Sequence, residues 1–127
     1  MPSACVRNDV TVGPPGSVLV VTGSNMSGKS TLLRAIGVNA VLARAGAPVC
    51  ARSLSLPLLT VATCMRVEDS LADGTSLFMA ELERLKRVVE AASGEEPALI
   101  LLDEILHGTN TAERQIAART VLRTLAV

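Results

Sequence analysis

Gly23-Ser24-Asn25-Met26-Ser27-Gly28-Lys29-Ser30 is the stretch whose reading decides the fold. It fits the pattern G-x-x-x-x-G-K-[ST] at every fixed position. Immediately before it stands Val18-Leu19-Val20-Val21, an apolar, β-branched run that predicts a strand buried on both faces. Immediately after it, a helical pattern runs from about Lys29 to Ala45, with Leu32, Leu33, Ile36, Val41 and Leu42 on its apolar side. Gly46 and Pro48 end it. In this strand–loop–helix setting each fixed residue has a mechanical task. The glycines let the backbone approach an anion closely. Successive N–H groups turn inward as a nest, and the helix adds its positive end. Lys29 is predicted to place its charge on the β- and γ-phosphates of a nucleotide, and the Ser30 hydroxyl to ligate Mg²⁺.

Outward from the loop the chain continues as strand–helix units. Gly13-Pro14-Pro15-Gly16 is a turn cluster, and Pro48 to Pro57 is irregular. Leu59 to Met65 predicts a second strand. Arg66 to Thr75 is polar and contains the turn signal Asp73-Gly74. A helix is expected from about Ser76 to Ala92, with Leu77, Phe78, Leu82, Leu85, Val88, Val89 and Ala92 at helical spacing. Glu81, Glu83, Arg84, Lys86, Arg87 and Glu90 fall mostly between them, and Glu83 with Arg87 makes an i,i+4 pair in the favoured order. Those charges read as a solvated face rather than a nucleic-acid surface. Ala98 to Leu102 predicts a third strand, and Thr111 to about Leu125 a last helix. The alternation predicts an α/β fold with a mainly parallel sheet and flanking helices.

The third strand ends in Asp103-Glu104. A nucleotide-hydrolysing P-loop protein needs an acid at the end of a strand neighbouring its phosphate loop to hold Mg²⁺, and Asp103 fits that task. A second acid can polarise the attacking water, and Glu104 fits that one. Gly74-Thr75-Ser76 feeds directly into a helix, placing a hydroxyl and free N–H donors at a second helix N-terminus. Taken alone, an ordinary helix cap is the better account of that serine.

Composition bounds the function. The 127 residues allow one domain, and 49% hydrophobic content supports an aliphatic core. Twelve basic and twelve acidic residues leave no net charge, which argues against a basic wrapper of nucleic acid. One Phe, with no Tyr or Trp, excludes a base-stacking platform. Cys5, Cys50 and Cys64 are odd in number and widely spaced, so a disulfide framework or zinc site is not expected. Reduced thiols point to the cytoplasm. No stretch reaches the ~18 apolar residues of a membrane span, and the N-terminus does not read as a signal peptide.

Three groups of residues together resemble the ATPase domain of MutS-type proteins, a P-loop NTPase of the ABC-ATPase type. They are Thr22-Gly23-Ser24-Asn25-Met26-Ser27-Gly28-Lys29-Ser30-Thr31; Asp69 to Glu81; and Leu101-Leu102-Asp103-Glu104 followed by Gly108-Thr109-Asn110-Thr111. The resemblance covers nearly the whole chain and implies residues 1–127 to be a partial domain of that type. It implies that ATP, bound by Gly23 to Thr31 with Mg²⁺ on Ser30 and Asp103, lies between two such domains in a homodimer or MutS-type heterodimer. Ser76 would then reach the γ-phosphate held by the partner, Lys29 and Glu104 would serve the cleavage, and Gly108 to Thr111 would cross the interface. In the family this cycle drives a clamp on DNA, the DNA contacts being made by domains this chain does not contain.

Four departures from the family pattern stand out. Cys5 falls where the family has an aromatic that stacks on adenine. Ser27 replaces a glycine frequent in repair members. His107 stands where they carry Arg, and reads as a solvent-facing loop residue. The strand bearing the family's switch histidine and the upstream strands are absent, so the sheet is expected to be incomplete and the chain to be part of a longer protein. The resemblance therefore also admits a nucleotide-binding switch without its own hydrolysis, or a MutS-related ATPase outside mismatch repair. A chromosome-maintenance ATPase is disfavoured, because the two motifs leave no room for a coiled-coil insertion.

Overall fold

The computed structural model describes residues 6–65, 77–106 and 110–126. Its elements run in the order α1 (Lys29–Arg44), β1 (Thr60–Cys64), α2 (Leu77–Ala92), β2 (Ala98–Leu102) and α3 (Thr111–Leu125). The two strands pair in parallel, in a register that sets Thr60 opposite Ala98 and Cys64 opposite Leu102. The result is a small α/β unit with a two-stranded parallel sheet and three helices. All five elements lie where hydrophobic periodicity predicts them. Cys5, Asp69 to Ser76, His107 to Thr109 and the side chains of Leu77 and Phe78 lie outside the described residues.

Helix ends follow local chemistry. α1 stops at Gly46, whose φ of 72° suits glycine's left-handed role at a helix end; the Gly46 and Ala47 N–H groups close on Ala43 O and Leu42 O at 3.1 and 2.9 Å. α3 starts at Asn110, whose side-chain oxygen accepts from the Glu113 N–H at 2.9 Å. Asn39 staples the following loop to α1: its Nδ2 donates to Ala35 O, and its Oδ1 accepts from the Cys50 N–H.

The core sits between β1, α2, the end of β2 and α3. Cys64, Leu85, Val88 and Leu106 are buried, with Ala62, Ile100, Leu102, Ile105, Ala117, Val121 and Leu125 packed around them. On α2 the stripe that faces inward is Glu81, Arg84, Leu85 and Val88, whereas Leu82 is exposed. The ion pair on α2 joins Lys86 to Glu90 at 3.8 Å rather than Glu83 to Arg87. α1 buries Gly37 and Ala40, and turns Val38 and the expected core residue Val41 to solvent. The reason is close approach. A Cβ on Gly37 would lie 2.8 Å from Leu101 Cδ1, so α1 rests on β2 through its smallest residues.

One predicted element does not form. Val18 to Val21 takes no place in the sheet, and Val18, Leu19 and Val20 are 46, 52 and 69% exposed. A strand buried on both faces needs hydrogen-bonded neighbours, and the β1–β2 pair supplies none to this run.

Two outcomes test the packing. Gly37→Ala gains helix propensity but overpacks Leu101, for a net loss of roughly 1–2 kcal/mol, read as a lower urea midpoint. Burial first, then the Glu81 carboxylate, pushes the Cys64 thiol above its ordinary 9.0, with Arg84 pulling the other way. A raised folded value means this contribution is complete below pH 9.0 and is lost as pH rises through the folded value. The urea midpoint should therefore fall from about pH 8 to about pH 10 more steeply in the parent than in Cys64→Ala.

Candidate functional site

The loop Gly23 to Gly28 joins the extended Val18–Val21 run to α1. Its backbone alternates in handedness: Met26 has φ of 66° and Gly28 φ of 91°, the latter as N-cap of α1. For Gly28 this conformation carries no steric penalty; for Met26 it costs about 1–3 kcal/mol. Ser27 N–H closes the turn on Ser24 O at 3.2 Å, and Leu32 N–H begins the helix on Gly28 O at 2.9 Å. No side chain caps α1, and no acid lies in its first turn. The first N–H groups of α1 thus keep their positive end for an outside acceptor. Alternating backbone of this kind makes a concavity of donors suited to an anion.

Lys29 is drawn into this loop. Its Nζ donates to Gly23 O and to Ser24 O, the latter at 2.9 Å. The ammonium is therefore held over the start of the loop by two carbonyls it can exchange for a stronger acceptor. Ser30 and Lys29 are half-buried, whereas Gly23, Ser24, Asn25, Met26, Ser27, Gly28 and Thr31 are exposed. The motif residues are thus brought together around one ammonium group.

Asp103 follows β2 directly, and its N–H extends the ladder by donating to Cys64 O at 3.0 Å. Glu104 comes next with φ of 48° and an exposed side chain. The Gly37–Leu101 contact ties α1 to the strand that carries both acids. Among the described residues no three His, Cys, Asp or Glu side chains cluster as a metal site. The hydroxyl of Ser30 and the carboxylate of Asp103 are hard oxygen donors of the kind that suits Mg²⁺.

Two residues of this region were not expected from the sequence. Glu81 accepts a hydrogen bond from the Leu106 N–H, and Arg114 Nε donates to Ile105 O at 3.1 Å. The available signal was Glu81's position four residues before Leu85 and seven before Val88, a carboxylate on an apolar stripe. Two concavities lie elsewhere. One of about 540 Å³ is walled by the end of α1 and residues 47–58, and one of about 370 Å³ by β1 and α2.

A family model described as MutS domain V matches residues 19–127. The chain belongs to the MutS family. DNA mismatch repair protein MutS 2 of Halobacterium salinarum is 42% identical over 120 residues, covering 94% of this chain and 14% of that protein. The protein of the same name from Haloarcula marismortui is 44% identical over 103 residues, covering 80% and 11%. DNA mismatch repair protein MutS of Streptococcus equi subsp. equi is 35% identical over 118 residues, covering 92% and 14%. This MutS-family chain therefore spans 11 to 14% of the length of these relatives. No solved structure matches it. No helix among the described residues is long and apolar enough to cross a membrane.

Proposed function

We propose that this MutS-family chain is a P-loop ATPase module of the ABC type, binding Mg-ATP and hydrolysing it as a dimer in a mismatch-repair or MutS-related protein. The observation that carries the reading is the loop itself: a left-handed Gly28, an uncapped α1 N-terminus and Lys29 folded over the Gly23 and Ser24 carbonyls. The N–H groups of Gly23 to Thr31 would hold the phosphates, and Lys29 would exchange its two carbonyls for phosphate oxygens. Ser30 and Asp103 would hold Mg²⁺, which when bound neutralises charge developing on the phosphates. Glu104 would polarise the attacking water. Ser76 would act on the nucleotide of a partner chain, a homodimer or MutS-type heterodimer, and DNA would be contacted by other parts of the full protein. The names of the relatives support the repair context. Free Cys50 and Cys64 support a reducing, cytoplasmic setting.

The unpaired Val18–Val21 run favours a second reading for the isolated chain. The loop is anchored on one side only by an extended segment outside the sheet. In that reading the chain binds nucleotide but does not turn it over alone.

Two substitutions test the assignment. Lys29→Ala should abolish Mg-ATP binding in a calorimetric titration; parental affinity would refute the phosphate role. Glu104→Gln should keep binding, lose turnover by about 100-fold or more and accumulate an ATP-bound dimer on sizing. Parental turnover in that variant would remove Glu104 from the chemistry.

A further inference from the structure

One peptide group, two residues beyond Glu104, is held from both sides. Its N–H belongs to Leu106 and donates to Glu81 Oε1 on α2. Its carbonyl belongs to Ile105 and accepts from Arg114 Nε on α3 at 3.1 Å. The Leu106 side chain is sunk in the core against Cys64, Leu85 and Val88, 1% exposed. The backbone on either side is left-handed at non-glycine residues, with φ of 48° at Glu104 and 60° at Leu106. Such a conformation persists only where surrounding groups over-determine it. Here two side chains from two different helices and one buried leucine do so.

Glu104 is therefore bracketed. On its N-terminal side Asp103 is fixed by the ladder bond to Cys64 O at 3.0 Å. On its C-terminal side the Ile105–Leu106 peptide is fixed by Glu81 and Arg114. Rotation of that peptide breaks both bonds at once and redirects the chain leaving β2. We propose that Glu81 and Arg114 are positioning residues for Glu104, setting through this one peptide the direction in which its carboxylate leaves the end of β2. The inference rests on the reading of Glu104 as the water-polarising base. Neither Glu81 nor Arg114 needs to meet the nucleotide. Their loss should appear in turnover and not in affinity.

The test uses the 127-residue chain and three readouts: exchange of the Leu106 amide by NMR, Mg-ATP affinity, and ATP turnover. In Glu81→Ala the Leu106 amide should lose protection, turnover should fall roughly 10-fold or more, and affinity should stay within about 2-fold. Glu81→Gln keeps an acceptor oxygen at the same reach and should restore both protection and turnover. Arg114→Met keeps an unbranched apolar stem without a donor, and should give the same split between turnover and affinity. It also serves if Glu81→Ala does not fold. Parental turnover in a variant whose Leu106 amide has lost protection overturns the inference. So does unchanged protection in both Glu81→Ala and Arg114→Met, or a Glu81→Gln variant as slow as Glu81→Ala. Failure of the underlying reading looks different. A Glu104→Gln variant at the parental rate removes Glu104 as the base and this inference with it, whatever the Leu106 amide reports.

Discussion

Leu106 packs into Cys64, Leu85 and Val88, and through that contact the turn after β2, the helix α2 and the strand β1 become one body. The contact is not a free gain. Burying a leucine is worth about 1.5–3 kcal/mol, and its left-handed backbone costs about 1–3 kcal/mol. The two nearly cancel. The hydrogen bonds that Glu81 and Arg114 make to the same dipeptide then decide whether the turn holds its shape. A small core of aliphatic side chains, with one Phe and no Tyr or Trp in the chain, leaves little other packing energy to do so.

α1 is held by a different device. Its contact with β2 is made by close backbone approach at Gly37, and Ala40 is its other buried residue. Small residues bury little area, so the helix depends on shape. Asn39 adds a polar tie to the loop that leads away. The helix that begins with uncapped N–H groups and a folded-over lysine is thereby seated, at Gly37, on β2, the strand that Asp103 follows. The family model that matches residues 19–127 takes in this loop.

Much of this was readable in the sequence because it is local. The 3.6-residue period of α2, the apolar run of β2 and the helical stretch of α3 each follow from a few consecutive residues, and each appears as expected. The spacing of Gly23, Ser24 and Lys29 is likewise a property of the loop alone, and the Lys29 ammonium sits on the Gly23 and Ser24 carbonyls. What was not readable depends on partners distant in sequence. The strand propensity of Val18 to Val21 is genuine, but a strand is defined by its neighbours, and here it has none in the sheet. Val41 reads as core until Gly37 and Ala40 are seen to set the helix's rotation. Glu81 reads as surface charge until the Leu106 N–H, 25 residues away, is seen to need an acceptor.

The open run before the phosphate loop has a consequence for how the chain behaves in solution. Ser17 to Thr22 carries no charge, no proline and five β-branched or leucine residues in succession. An uncharged apolar run of that kind, mostly solvent-facing, is a template for intermolecular cross-β pairing. A chain with no net charge has little colloidal repulsion to oppose it. Whatever comes to cover Val18 to Val21 thus does more than complete a sheet: it decides whether the molecule stays dispersed or goes to fibre and precipitate.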